Sequence, residues 1–388
     1  MKSPINLDHA AGAPLAKEAK NKIKEFIENP IYNTDSSYAP AVEQRRYLAD
    51  LKSKTAKLIG AKAPNIFITT GSSDANSKLL NLIKLADPNA EVITTSIEHS
   101  SLLDSIKELQ SHKILELNKD GQFDLKTLES SITDSTILIT VQYINNETGQ
   151  ILPIKEISRL VKKINNSRLD RKIKTPLFFH TDASQAAITE DLLIPRLGVD
   201  SISLNGSKFG ALPNSGILYL SAEILRFLEL KKVTIPKVKE SPLSIISTYF
   251  ALKNSIEKKN TESKRLLKLS NSFYSQLQKD LPDIKLNPSN LKIGKNHSPH
   301  ILNINIPNVS GEKLVILAGL NKILISTGSA CSASKDQPSH VLEALSLSLE
   351  QINSSIRVSF GSGNKSEKEV IEAAKNLAKL CKNPSIKL

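Results

Sequence analysis

LFFHTDASQ, residues 177–185, opens on three apolar residues and reaches an aspartate within six. A run of this kind fits a strand buried on both faces that delivers a polar group at its carboxyl end. The same pattern recurs on either side. NIFITT (65–70), EVITTSI (91–97), TILITVQYI (136–144), DSISLNG (200–206) and GILYLS (216–221) are short apolar runs bounded by polar residues. Between them SKLLNLIKLA (77–86) and IKEISRLVKKI (154–164) repeat leucine and isoleucine at spacings of three and four, the period of a helix with one apolar face. Strands alternating with helices predict an α/β domain whose mostly parallel sheet is covered by helices, with ligands beyond the carboxyl ends of the strands.

The tail has another rhythm. A lysine-rich helical stretch at about 244–280 precedes HILNINI (300–306), GEKLVILAGL (311–320), ILIST (323–327), SHVLEALSL (339–347), SIRVSF (355–360) and a last helix with Ser366 and Glu369 at capping positions. This predicts a smaller α+β domain. The expected division is 15–255 for the large domain, with 1–14 and 256–388 forming the small one. A chain of 388 residues is long for one core and suits two.

Composition narrows the class. Hydrophobic residues at 39% and charged residues at 23% are those of a soluble globular protein. No apolar run approaches the roughly 20 residues of a membrane span, and the N-terminal MKSPINLDHAAGAP carries an early acid and no apolar core of a secretory signal. Two cysteines form no disulfide framework, so a reducing cytoplasm is the expected compartment. The net charge of +13 comes from lysines dispersed along the chain, as at Lys162-Lys163, Lys231-Lys232 and Lys258-Lys259. With no dense basic tract, and aromatics at only 4%, it predicts a solvated surface and no direct nucleic-acid binding.

Four stretches carry chemistry. Asp182 ends a buried strand; alone it reads as a carboxylate capping the next turn. Lys208, in SLNGSKFG (203–210), follows another apolar strand and alone reads as a surface lysine. Together they suggest a pyridoxal-phosphate site, with the lysine as Schiff-base partner and the aspartate on the pyridine nitrogen. Gly71, Ser72 and Ser73 lie between a strand and a helix, where backbone N–H groups and hydroxyls can cradle a phosphate. STGSACSAS (326–334) sets Cys331 among small polar residues, unlike a buried structural thiol.

Taken with INLDHAAGAP (5–14), ITTGSSDAN (68–76), TSIEHSSLLD (95–104), INNETG (144–149) and SSIRVSFG (354–361), these stretches resemble, in order and spacing, the motifs of the cysteine desulfurases of the NifS/IscS type. Those are pyridoxal-phosphate enzymes of the class V aminotransferase group, of transferase fold type I. The resemblance implies that Lys208 holds the cofactor and shuttles a proton, that Asp182 and Gln185 pair with the ring, and that His99 stacks on it and assists proton transfer. Ser72, Ser73, Asn205 and Ser207 would hold the phosphate, and Asn146 and Arg357 the substrate carboxylate. Cys331 would take sulfur from L-cysteine as a persulfide for iron–sulfur cluster assembly or tRNA thiolation, leaving alanine. The resemblance further implies a homodimer and a sulfur-acceptor protein. A selenocysteine lyase, or a cofactor-free binding or scaffold protein on the same fold, are the alternative readings. The chain departs from the family at Asn205 and Ser207, where the family has serine and histidine. The family's glycine-rich cross-subunit segment is replaced by KKVTIPKVKESPLSIIS (231–247).

Overall fold

A computed structural model describes residues 4–118, 121–236, 238–328, 338–364 and 366–388. In chain order its strands are β1 (Ile5–Asn6), β2 (Ile66–Thr69), β3 (Glu91–Thr95), β4 (Ser111–Leu115), β5 (Thr136–Thr140), β6 (Phe178–Asp182), β7 (Ser201–Asn205), β8 (Gly216–Leu220), β9 (Lys285–Leu286), β10 (Ile301–Asn305), β11 (Ile323–Leu324) and β12 (Ser355–Ser359). Seven form the main sheet in the order β2-β8-β7-β6-β5-β3-β4. Strands β4, β3, β5, β6 and β7 run parallel, and β8 runs against both of its neighbours, β7 and β2. The chain length between strands sets this reversal. The β7–β8 connection is too short for a parallel crossover, which needs a dozen residues or more.

Successive strand residues enter opposite cores. Phe179, Ile217 and Tyr219 pack with the helices Ala39–Leu58 and Ile154–Asp170, while Phe178, Leu218 and Leu220 pack with Ser72–Ala86 and Ala222–Leu230. Both faces are therefore dry, which is why these strands read as continuous apolar runs. The expected sheet is the observed one, with differences at its edge. SHKIL, the strand β4, escaped the sequence reading because its first four residues are only half-buried, so no apolar run marks it.

A second core gathers β10, β12 and the helices Gly311–Leu320 and Glu367–Cys381. Its aromatic centre is an edge-to-face pair, Phe273 and Phe360, with ring centroids 5.6 Å apart. Cys381 lies in this core, where burial pushes its thiol up to about 12, as befits a packing residue. The helix Pro242–Asp280 is continuous over 39 residues and serves both cores. Its residues Ile245 to Leu252 face the first and Leu266 to Leu277 the second, so the expected boundary near residue 255 falls inside a helix. Ser366 caps the final helix by accepting from the Glu369 N–H at 3.2 Å. Among the described residues no helix is long and apolar enough to cross a membrane.

Three buried histidines, His9, His297 and His300, lie near one another at the junction of the cores, and burial lowers the pKa of each. For His300 the value falls to about 3, with His297 and His9 adding repulsion. Its neutral form contributes stability in full above the unfolded-state value near 6.5. That contribution is lost as pH falls towards 3, because the unfolded chain then binds the extra proton. Wild-type stability by urea titration should therefore drop between pH 7 and pH 5 by on the order of 2 kcal/mol more than that of His300→Gln. Equal drops in the two proteins would show that His300 does not titrate in this way.

Candidate active site

The cavity of interest, about 150 Å³, opens beyond the carboxyl ends of β5, β6 and β7. Gln142, Ile144 and Asn146 reach it after β5, Asp182, Ser184 and Gln185 at the end of β6, and Asn205 and Lys208 at the end of β7. Ser72, Ser73 and His99 come from two helix N-termini, and Arg357 from β12 of the second core. Parallel strands of one sheet aim their ends the same way, so residues far apart in sequence converge here.

Asp182 is built in from both sides. Its Oδ1 accepts from the Ser184 N–H at 3.0 Å and its Oδ2 from the Asn76 amide at 3.1 Å. Asn76 Oδ1 in turn faces His180 Nε2 at 3.0 Å, and His180 Nδ1 faces the Ser201 hydroxyl at 2.9 Å. Because the Asn76 amide donates to Asp182, its oxygen accepts, and His180 carries its proton on Nε2. Burial holds His180 neutral, with its pKa down to about 4 despite the opposing charge of Asp182.

His99 caps the helix Ser100–Lys107. Its Nδ1 accepts from the Ser101 N–H at 3.2 Å and lies 2.9 Å from the Ser101 hydroxyl. An Nδ1 that accepts from a backbone N–H carries no proton, so neutral His99 is the Nε2–H tautomer. The Ser101 hydroxyl then donates to Nδ1, and Ser73 Oγ, 3.0 Å away, donates to Ser101. Behind His99 lies Glu98, fully buried, with Oε1 accepting from Thr95 Oγ1 and the Gln142 N–H at 2.8 Å each. Burial raises its pKa to about 8, so it is a neutral acid at pH 7.

The Gln185 amide donates to the Ala10 carbonyl at 3.0 Å, while its Oε1 is buried without a partner. Lys208 Nζ donates to the Ala11 carbonyl at 2.8 Å. Asn205 Oδ1 accepts from the Ser207 N–H at 3.2 Å and the Ser207 hydroxyl at 2.9 Å. Ser207 thus supports Asn205 and does not itself line the cavity. Asn146 stands in a tight turn drawn by Asn145, whose Oδ1 accepts from the N–H groups of Glu147 and Thr148. Gly149 closes that turn at φ 78°, where a Cβ would meet the Ile301 carbonyl at 2.7 Å. Arg357 donates through Nη1 to the Asn146 carbonyl at 3.0 Å and through Nη2 to Asp8 at 2.9 Å. Its Nε is buried without a partner. Cys331 lies outside the described residues. No cluster able to hold a metal ion occurs among those described.

Ten of the expected residues thus meet at one place or next to it: Ser72, Ser73, His99, Asn146, Asp182, Gln185, Asn205, Ser207, Lys208 and Arg357. Sequence reasoning missed Asn76, His180, Ser101 and Asp8. His180 had a signal, being a polar residue two before Asp182 and so on the same face of an apolar strand. Asn76 and Ser101 stand four residues after Ser72 and two after His99, within stretches already singled out, but their roles depend on packing. Replacing Asn76 by Ala strands both Asp182 Oδ2 and the His180 N–H. That substitution should lower stability by roughly 1–3 kcal/mol in chemical denaturation, and no loss would mean the chain His180–Asn76–Asp182 is not formed.

Comparison with known proteins follows the same lines. The aminotransferase class-V family model matches residues 5–371. The chain is 30% identical to cysteine desulfurase IscS of Dictyoglomus turgidum over 93% of its own length and 90% of that protein. It is 28% identical to the enzyme of that name from Clostridium botulinum, over 95% and 92%. A solved NifS-like protein superposes with a TM-score of 0.84 at 21% identity, covering 97% of this chain and 99% of that one, a likeness of fold. The chain belongs to the aminotransferase class-V family, as a divergent member of its NifS/IscS branch.

Proposed function

We propose that the protein is a cysteine desulfurase: it converts L-cysteine to L-alanine and passes the sulfur to Cys331 as a persulfide. Support for this reading comes from the convergence of Lys208, Asp182, His99 and Arg357 on one cavity at the strand ends. The donor set also fits pyridoxal phosphate. A carboxylate stands at the end of β6, an amine follows β7, and serine hydroxyls and a helix N-terminus offer donors to a phosphate. Asp182 would hold the ring nitrogen protonated, Lys208 would carry the cofactor, and Ser72, Ser73 and Asn205 would bind the phosphate, with Ser207 behind them. Gln185, with its buried Oε1 unpartnered, would face the ring. When bound, the cofactor supplies an electron sink for the substrate's α-carbon.

The protein's own groups do the rest. Arg357, already oriented by Asp8 and the Asn146 carbonyl, binds the substrate carboxylate together with Asn146. Lys208 and His99 move protons at the α-carbon and the leaving sulfur. The Cys331 thiolate attacks the substrate sulfur, the C–S bond breaks, and its electron pair ends in a C–H bond of alanine. Two domains, 15–255 and 1–14 with 256–388, are part of this reading, supported by the packing of Leu7 in the second core. So are a homodimer, a cytoplasmic location and a sulfur-acceptor protein for iron–sulfur assembly or tRNA thiolation.

Holoenzyme given L-cysteine should release alanine and label Cys331 with persulfide sulfur. Cys331→Ala should lose persulfide formation by about two orders of magnitude or more. Persulfide retained in that variant would remove Cys331 from the mechanism, and borohydride that never traps pyridoxal on Lys208 would remove the cofactor.

A further inference from the structure

We propose that Glu98 is a positioning residue for His99: its carboxyl group fastens the turn 95–99 to the segment leaving β5 and so holds the His99 ring at the cavity. The inference rests on the reading of His99 as a group that moves protons. Glu98 is 0% exposed and does not itself line the cavity, whereas His99 and Gln142, on either side of it, both do. A buried acid is costly unless it is bonded. Glu98 Oε1 accepts from the Thr95 hydroxyl, closing the turn on itself, and from the Gln142 N–H, crossing to the cavity wall, at 2.8 Å each.

The two peptide groups that lead into His99 are held from different sides. The Ile97 carbonyl accepts from the Asn145 amide at 2.9 Å and from the Gln142 side-chain amide. The Glu98 carbonyl accepts from Nε2 of His340, the first residue of the helix His340–Ala344, at 2.9 Å. Those donors are side chains, which can turn about their own torsions. Glu98 Oε1 instead takes a backbone N–H, and so ties the turn to the main chain of the segment that carries Gln142, Ile144 and Asn146 into the cavity.

His99 passes this anchorage on. Its Nδ1 accepts from the Ser101 N–H at 3.2 Å and its carbonyl from the N–H groups of Leu102 and Leu103 at 2.9 and 3.1 Å, so ring and helix start form one unit. Without the Glu98 carboxyl, the Thr95 hydroxyl and the Gln142 N–H lose a buried acceptor, and the turn relieves this only by moving. The next residue along the chain is His99. Burial raises the Glu98 pKa to about 8, with Asp182 adding repulsion, so at pH 7 the group is a neutral acid. Glutamine, uncharged and with an oxygen that accepts, is then its close replacement.

The test compares Glu98→Ala, Glu98→Gln and Thr95→Val holoenzymes at pH 7. It reads hydrogen exchange of the Ser101, Leu102 and Leu103 amides, each bonded to His99, against the Leu302 and Val358 amides of the paired strands β10 and β12. It also reads kcat, and KM for L-cysteine. In Glu98→Ala the three amides at His99 should exchange about tenfold faster with the reference amides unchanged, the sign of a local opening. Its kcat should fall about tenfold with KM within about twofold, the pattern of a misplaced reacting group. Glu98→Gln should restore wild-type exchange and kcat. Thr95→Val, which removes one of the two bonds, should quicken exchange about threefold. Unchanged exchange at Ser101 in Glu98→Ala overturns the inference, as does exchange that quickens equally at Leu302 and Val358, or a kcat loss matched by a rise in KM. Should Glu98→Ala fail to fold, Thr95→Val decides by the same readouts. Hydrogen exchange needs no turnover, so it reads the hold on His99 even if the protein releases no alanine from L-cysteine.

Discussion

A guanidinium within an apolar strand must find an anion, and at Arg357 that requirement ties together the two ends of the chain. The Arg357 side chain is 5% exposed, and its counter-charge is Asp8, 349 residues away in sequence. The other Nη binds the carbonyl of Asn146 in a turn of the first core. Leaving one member of a buried pair uncompensated costs roughly 3–5 kcal/mol, and somewhat less where, as at Asp8, the partner is partly in water. The cavity depends on this pairing because each of the three segments it joins also forms a wall: Ala10 and Ala11, Asn146, and Arg357 itself.

Around that pair the charges are few. Glu98 and His180 lie beneath the site with pKa values moved to about 8 and about 4, so at neutral pH neither is charged. With those two neutral, the charged residues that line the cavity, Asp182, Lys208 and Arg357, act on one another and on a ligand with no further charge from Glu98 or His180. The hydrogen bonds through Asn76 and Ser101 fix which nitrogen of each histidine bears the proton.

Much of this was legible in the sequence because both faces of the sheet are buried. Alternation then vanishes, and LFFHTD or GILYL stands out as an apolar run, with the strand ends marking where Asp182 and Lys208 must lie. The edge strand SHKIL lacked that signal for the opposite reason, since its first four residues are only partly buried. Partners were harder to foresee than sites. That Arg357 needs an anion follows from its surroundings, but that Asp8 supplies it depends on a contact across nearly the whole chain. Ser207 shows the same limit: its hydroxyl sits beside the cavity, yet it is turned onto Asn205 by a local turn.

The N-terminal segment has a wider role than its length suggests. Leu7 bonds to the backbone of Leu324 and Ser359, Ala13 to Ser207 and Ala16 to Gly210, while the carbonyls of Ala10 and Ala11 hold Gln185 and Lys208. On the ribosome this segment emerges well before the strand it joins, and domains generally form in the order they are made. Here residues 7–11 cannot reach their places until β12 has been translated. A nascent chain therefore carries a sheet without a finished cavity, and the site closes only once β12 has been made.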